Sequence, residues 1–210
     1  YQCYEIKPAL TPAITVTVQD RFTSMTETVR FPHRLCAPAD EDGQGLLDPV
    51  QHLVAYVMGG QVFTGRTGLT VTNQLGTLKL DLTRPNILML PSAKSLTTVP
   101  PPLAPPTIDH FQCYKVKRSR GTTKFVKRTM TIVDQFESQT LTLTKPYLLC
   151  APADKNGEDP TAPAHPTHLL CYRAKGISFG TLGAHVNNQF GPDDVTLIHR
   201  RELCLPASVQ

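Results

Sequence analysis

Three groups of residues in this 210-residue chain have types and spacings that could do chemistry. Gly176-Ile177-Ser178-Phe179-Gly180 fits the G-x-S-x-G pattern of a serine nucleophile, and Asp193, Asp194 and His199 follow in hydrolase order. That pattern works at a strand–turn–helix junction over a parallel sheet. Here it lies between a cysteine strand and an Asn188-Gln189-Phe190-Gly191 turn, and the sister segment has Gln61-Val62-Phe63 with no serine. No triad is assigned and no enzymatic activity is expected.

The second group is acidic. Asp40-Glu41-Asp42-Gly43 and Asp154-Lys155-Asn156-Gly157 share D-x-[D/N]-G, which offers alternate oxygens and a glycine turn as calcium loops do. Neither has the full oxygen set of an EF-hand, and Asp, Asn and Gly are ordinary turn formers. The turn is the favoured reading, with a weak Ca2+ site at Asp154, Asn156, Glu158 and Asp159 as the alternative. No other cofactor is expected.

The third group is basic. Residues 1–110 carry 8 Lys+Arg and 9 Asp+Glu, net −1, whereas 111–210 carry 13 and 8, net +5. Lys115, Lys117, Arg118, Arg120, Lys124, Lys127 and Arg128 form a stretch without an acid. It reads as a solvated hairpin or as a docking site for an anionic polymer or for the acidic segment Asp40, Glu41, Asp42 and Asp48 of another copy. Nucleic acid is not expected, because aromatics interleave sparsely with these charges.

The elements that must position these groups show themselves through repetition. Leu35–Asp40 and Leu149–Asp154 are both LCAPAD, and YQCYEIK at residue 1 matches FQCYKVK at residue 111. Each half divides again: His168–Lys175 restarts the cysteine–tyrosine phrase, and Leu203-Cys204-Leu205-Pro206 closes it. In the remaining unit, residues 50–93, Ala55 and Met89 stand at the two cysteine positions. Cysteines absent as a pair are most simply partners, so the expected disulfides are Cys3–Cys36, Cys113–Cys150 and Cys171–Cys204; free buried thiols are the alternative. No C-x-x-C pair or zinc-finger spacing is present, so no zinc site is expected from the cysteines. Disulfides imply an oxidising, exported setting.

Alternation such as Thr140-Leu141-Thr142-Leu143-Thr144 and Lys79-Leu80-Asp81-Leu82-Thr83 predicts half-buried strands, and no helical period extends over ten residues. The expected fold is all-β: two tandem sandwich- or barrel-like domains, each of two pseudo-symmetric units of about 40–50 residues. The first domain is residues 1–93 (units 1–45 and 50–93) and the second 110–210 (units 110–160 and 166–208). Between them, residues 94–109 hold five prolines and read as an extended spacer. The repeated Tyr4, Tyr56, Tyr114 and Tyr172 read as core residues with rim hydroxyls. The D/N-Q-F stretches read as turns burying one ring, with a pocket at Gln74, Gln135 and Gln189 as the less favoured alternative. Among the histidines only His52 and His168 are matched between units, as a structural contact. No apolar run is long enough for a spanning helix.

The phrase CY-x-x-K … QF … LC-x-P, strongest in residues 111–208, resembles an uncharacterised repeat domain of secreted bacterial proteins. The resemblance implies export and modular surface use, and it carries over no catalytic residue. The function expected is a secreted structural or adhesive subunit, assembling head to tail into a filament or surface layer. The alternative is an extracellular module that binds a glycan or anionic polymer.

Overall fold

The computed structural model describes residues 1–7, 14–46, 48–59, 62–103 and 107–210. Each unit supplies a short first strand, a second strand and a long third strand. These are β1 (Gln2–Ile6), β2 (Ile14–Asp20) and β3 (Ser24–Ala37), extended by β4 (Ala39–Glu41), in the first unit. The second has β5 (His52–Gly59), β6 (Arg66–Asn73) and β7 (Gly76–Ser95), and the third β8 (His110–Arg118), β9 (Arg128–Asp134) and β10 (Ser138–Lys155). The fourth has β11 (His168–Lys175), β12 (Leu182–Asn188) and β13 (Gly191–Val209). The all-β expectation holds, with no α-helix among the described residues.

The first strands and the second halves of the long strands close into a ring. Its order is β1–β3–β5–β7–β8–β10–β11–β13 and back to β1, with every neighbour antiparallel. Two separate domains do not describe these ladders. β7 of the first half pairs with β8 of the second from Leu80 to Met89, and β1 pairs with β13 from Gln2 to Ile6. The physical reason is edges: two four-stranded halves would each present unpaired edge strands, and full closure leaves none. Residues 94–109 are accordingly not a free spacer. Lys94 and Ser95 pair with Val186 and His185 of β12, and Asn187 Nδ2 donates to the Pro100 carbonyl at 2.9 Å. Residues 104–106 of that stretch lie outside the described residues.

Each second strand and the first half of its long strand form a hairpin arm leaving the ring. In three units the changeover falls at a proline, Pro32, Pro85 or Pro146, where the ladder register shifts. Proline has no N–H to lose there, which suits a bulge. Each arm then reaches the unit two places along. β2 pairs with the end of β10, β9 with β4, β12 with the end of β7, and β6 with the end of β13.

Three apolar clusters follow. One draws on all eight ring strands and therefore fills the lumen: Cys3, Cys36, Leu53, Ala55, Ile87, Met89, Phe111, Cys113, Leu148, Cys150, Leu169, Cys171 and Cys204. The other two lie outside the ring wall, under the arms. An eight-stranded barrel is just wide enough for side chains to fill. Here the middle of the lumen is a belt of sulfur. The disulfides are Cys3–Cys36, Cys113–Cys150 and Cys171–Cys204, as the repeat predicts. Cys3 Sγ lies 3.8 Å from Cys204 Sγ, and Cys150 Sγ 4.0 Å from Cys171 Sγ.

The tyrosine and Asx repeats turn out to be two halves of one interlock. Tyr4 donates to Asp134 Oδ2 at 2.6 Å and Tyr114 to Asp20 Oδ2 at 2.6 Å. Asn188 Nδ2 donates to the Tyr56 hydroxyl and Asn73 Nδ2 to the Tyr172 hydroxyl, both at 3.0 Å. Each Asx side chain also accepts the backbone N–H two residues on, closing its own turn (Phe22, Leu75, Phe136 and Phe190, 2.7–2.9 Å). In three of the four turns the following ring stacks edge-on against the clamped tyrosine, at 5.0–5.6 Å between centroids.

Candidate functional site

The two ends of the lumen differ. At one end Arg34 Nε lies 2.5 Å from Glu202, both buried, with Arg173 3.5 Å from the other Glu202 oxygen. Arg201 pairs with Glu5 at 3.2 Å, and the Arg173 guanidinium stacks 3.5 Å from the Tyr147 ring centroid. Burial raises the Glu202 carboxyl, and Arg34 and Arg173 oppose that rise. This ionic plug closes its end of the barrel.

The opposite end opens into a cavity of about 500 Å³. Phe111 and Leu169, lumen residues above the sulfur belt, form its floor with Ile108 and Pro206. Its rim is polar: Glu41, Asp48, Gln74, Asp109 and His165. Glu41 is almost fully buried, accepts from Gln74 Nε2 at 2.5 Å, and is pushed above the usual carboxylate range by burial. An apolar floor with a few converging polar groups is the usual construction of a small-molecule site.

The sequence-picked residues distribute unevenly around this cavity. Of the acidic group, Glu41 and Asp48 line it. Asp40 instead accepts from Gly45 N at 2.8 Å, Asp42 from Thr131 N at 2.7 Å, and Asp48 also caps Val50 and Gln51. The acidic segment is thus docked within its own chain, through the β4–β9 ladder. The basic group lies elsewhere, on the end of β8, the following loop and the start of β9. Lys117, Arg118, Arg120, Lys124, Lys127 and Arg128 are exposed there, and Lys115 is half-buried opposite Arg84.

The four oxygens of the calcium alternative do not converge. Asp154 accepts from Asp159 N (3.1 Å) and Asn156, at φ 57°, from Thr17 N (2.9 Å). Glu158 pairs with Lys155 and accepts from Gln189 Nε2 (2.6 Å), while Asp159 accepts from the Thr161 hydroxyl (2.6 Å). Asp159 faces a different group, Asp109 and His165, all with donor atoms within 4.8 Å of one another. Ser178 is exposed in a loop with no hydrogen bond to His199 among the described residues, and Asp194 engages His185 Nδ1 at 2.6 Å instead. The three glutamines also part company: Gln74 meets Glu41, Gln135 meets His52 and Lys94, and Gln189 meets His110 and Glu158.

Sequence reasoning missed His110, which stands three residues before Cys113 as His168 stands before Cys171 and His52 before Ala55 at the matching position. Counting back from the cysteine positions would have found it. Asp109 and His165 carried no such signal.

The architecture defines a closed eight-stranded antiparallel barrel of four interlocked repeat units, plugged at one end and open to a cavity at the other. Residues 63–206 match the family described as a repeat of unknown function, DUF7450, and the chain belongs to that family. The matched span covers strands of both halves, in keeping with a ring in which β7 pairs with β8. No curated protein and no solved structure matches the chain.

Proposed function

We propose that this protein is an exported, non-enzymatic binding module whose ligand enters the open mouth of the barrel. The carrying observation is the cavity itself: about 500 Å³, floored by Phe111 and Leu169 and rimmed by Glu41, Asp48 and Asp109. That lining suits a small amphiphile with an apolar body and a cationic or donor group. Three lumen disulfides and the absence of any helix long and apolar enough to cross a membrane, among the described residues, are compatible with an extracellular location. Alkylammonium and alkyl sulfate probes of equal chain length test the reading by calorimetry. The alkylammonium should bind one per chain and more tightly, and Thr167→Trp, at the mouth, should abolish uptake. Equal binding of both probes, or no effect of the tryptophan, overturns it.

A second reading is a structural or adhesive subunit that meets an anionic glycan or another copy through Lys117, Arg118, Arg120, Lys124, Lys127 and Arg128, which are exposed. The acidic partner expected for head-to-tail assembly is engaged inside its own chain, which favours the glycan as counterpart. Charge reversal at Lys124, Lys127 and Arg128 should remove salt-sensitive retention on an immobilised sulfated polysaccharide. Unchanged retention removes this reading.

A further inference from the structure

We propose that Asp109, Asp159 and His165 form a divalent transition-metal site on the rim of the barrel cavity, with open coordination positions facing the cavity. The inference rests on the cavity reading for what fills those positions, and on its own geometry for the ion.

The donors come from three separate stretches. Asp109 directly precedes β8, Asp159 lies in the loop after β10, and His165 ends the 3-10 turn Ala162–Ala164. Their ligand atoms lie within 4.8 Å of one another, and His165 Nδ1 is 2.9 Å from Asp109 Oδ1. Each stretch is held by contacts of its own. Asp159 N donates to Asp154 Oδ1 at 3.1 Å, Ala162 N to the Asp159 carbonyl at 3.1 Å, and His165 N to the Ala162 carbonyl at 3.0 Å. Asp109 sits immediately ahead of the ring strand β8. The positions therefore exist before an ion arrives, and little ordering accompanies binding.

Comparison of the units isolates what is special here. The first unit runs Asp48-Pro49-Val50-Gln51-His52, and the third runs Asp159-Pro160 and then seven residues before His168. The extra length is what carries His165 to the two carboxylates. In the first unit Asp48 instead accepts from Val50 N, Gln51 N and Gln51 Nε2.

The donor set selects the ion. Calcium takes six to eight oxygens. One imidazole nitrogen with two carboxylates instead suits Zn2+ and its neighbours, and a three-ligand protein site leaves a position open. Asp109 and His165 both line the cavity, so that position faces the space above Phe111 and Leu169. A cavity ligand carrying a carboxylate, hydroxyl or amine donor could complete the coordination.

The test uses the full chain with its disulfides intact, stripped by chelator. Zn2+ is titrated by calorimetry and Co2+ by visible absorption. One ion per chain is expected, with Co2+ bands of a nitrogen- and oxygen-ligated site. Affinity should fall at least tenfold in His165→Ala and in Asp159→Asn, while the metal-free melting temperature stays within error. His165 is partly exposed, so its loss leaves the fold standing. No saturable binding of either ion, or wild-type affinity in both variants, overturns the proposal. Uptake of the alkylammonium probe by the same metal-free samples separates the two ideas. Probe uptake without metal binding removes only the metal site. A variant-sensitive ion without probe uptake supports the metal site and removes the cavity reading.

Discussion

The second and fourth units sit across the ring from each other and use the same asparagine clamp, yet only the fourth has a disulfide. Ala55 faces Met89 in one ladder as Cys171 faces Cys204 in the other, and all four are buried. A unit can therefore hold the ring register without the bond. Neighbouring strands and the arm from across the ring set that register, and the disulfides restrict the unfolded chain. A second contrast runs through the clamps. The first- and third-unit arms present aspartates (Asp20, Asp134) to their tyrosines, and the other two present asparagines. The aspartates bring a buried charge and hence a pH dependence that the asparagines lack.

The largest effect should come from converting the fourth unit into the second. Cys171→Ala with Cys204→Met should lower unfolding stability by about 3 kcal/mol, the order expected for a loop of this length, without loss of β circular dichroism. Cys171→Ala with Cys204→Ala should cost roughly 2 kcal/mol more, because the belt then also has a void. Urea midpoints measure both. The converse pair, Ala55→Cys with Met89→Cys, should form a fourth disulfide and raise the midpoint. A pair that stays reduced in air would mean the two units are less alike than their registers indicate.

Next in size are the clamps. Tyr114→Phe leaves Asp20 buried without its hydroxyl donor and should cost about 2–3 kcal/mol, a charged acceptor losing its partner. Tyr56→Phe leaves Asn188 with the Ser92 hydroxyl at 3.0 Å and should cost nearer 1 kcal/mol. Equal losses would show that the aspartate brings nothing the asparagine lacks.

Glu27 offers a gain. It is buried where the sister units place Leu80, Leu141 and Val195, its Oε1 has no partner among the described residues, and burial pushes its carboxyl up to about 7. Glu27→Leu should stabilise by about 1–2 kcal/mol at pH 8, where a buried unpaired charge is relieved, and by less at pH 5. Melting curves at the two pH values decide it.

The smallest effect is a pH slope. Burial pushes Asp20 from its ordinary 3.8 up to about 6, against the hydrogen bonds from Tyr114, Phe22 and Thr23. The folded state then holds a proton that the unfolded state releases between those values. This group's contribution is full below pH 4 and is lost as pH rises through 6. Asp20→Asn, which copies the sister clamps, should flatten that segment of the stability profile relative to wild type. An unchanged profile would place the ionisation elsewhere.

Much of this molecule was legible in its residues because it is written four times. The paired absence at Ala55 and Met89 identified the disulfide partners, and alternation such as Leu141 and Leu143 identified the strands. The Asx–Gln phrase marked the turns at Asn73, Asp134 and Asn188 but not the one at Asp20-Arg21-Phe22, and its second role, receiving a tyrosine from across the ring, was invisible. Proline four residues before the second cysteine position, at Pro32, Pro85 and Pro146, was a readable sign of the bend between arm and ring that repetition alone did not explain.

Local repetition determined the strands, the turns and the cysteine pairs, since each depends on residues within one unit. Which unit lies beside which was decided by the tertiary structure. Like units can pair within a half or around a ring with the same side chains, and only the satisfaction of every strand edge selects the ring. That selection also exchanged the arms, tied the start of the expected spacer to the β12 arm and opened the cavity. It brought Asp109, Asp159 and His165 together from positions up to 56 residues apart, a distance over which no sequence period speaks.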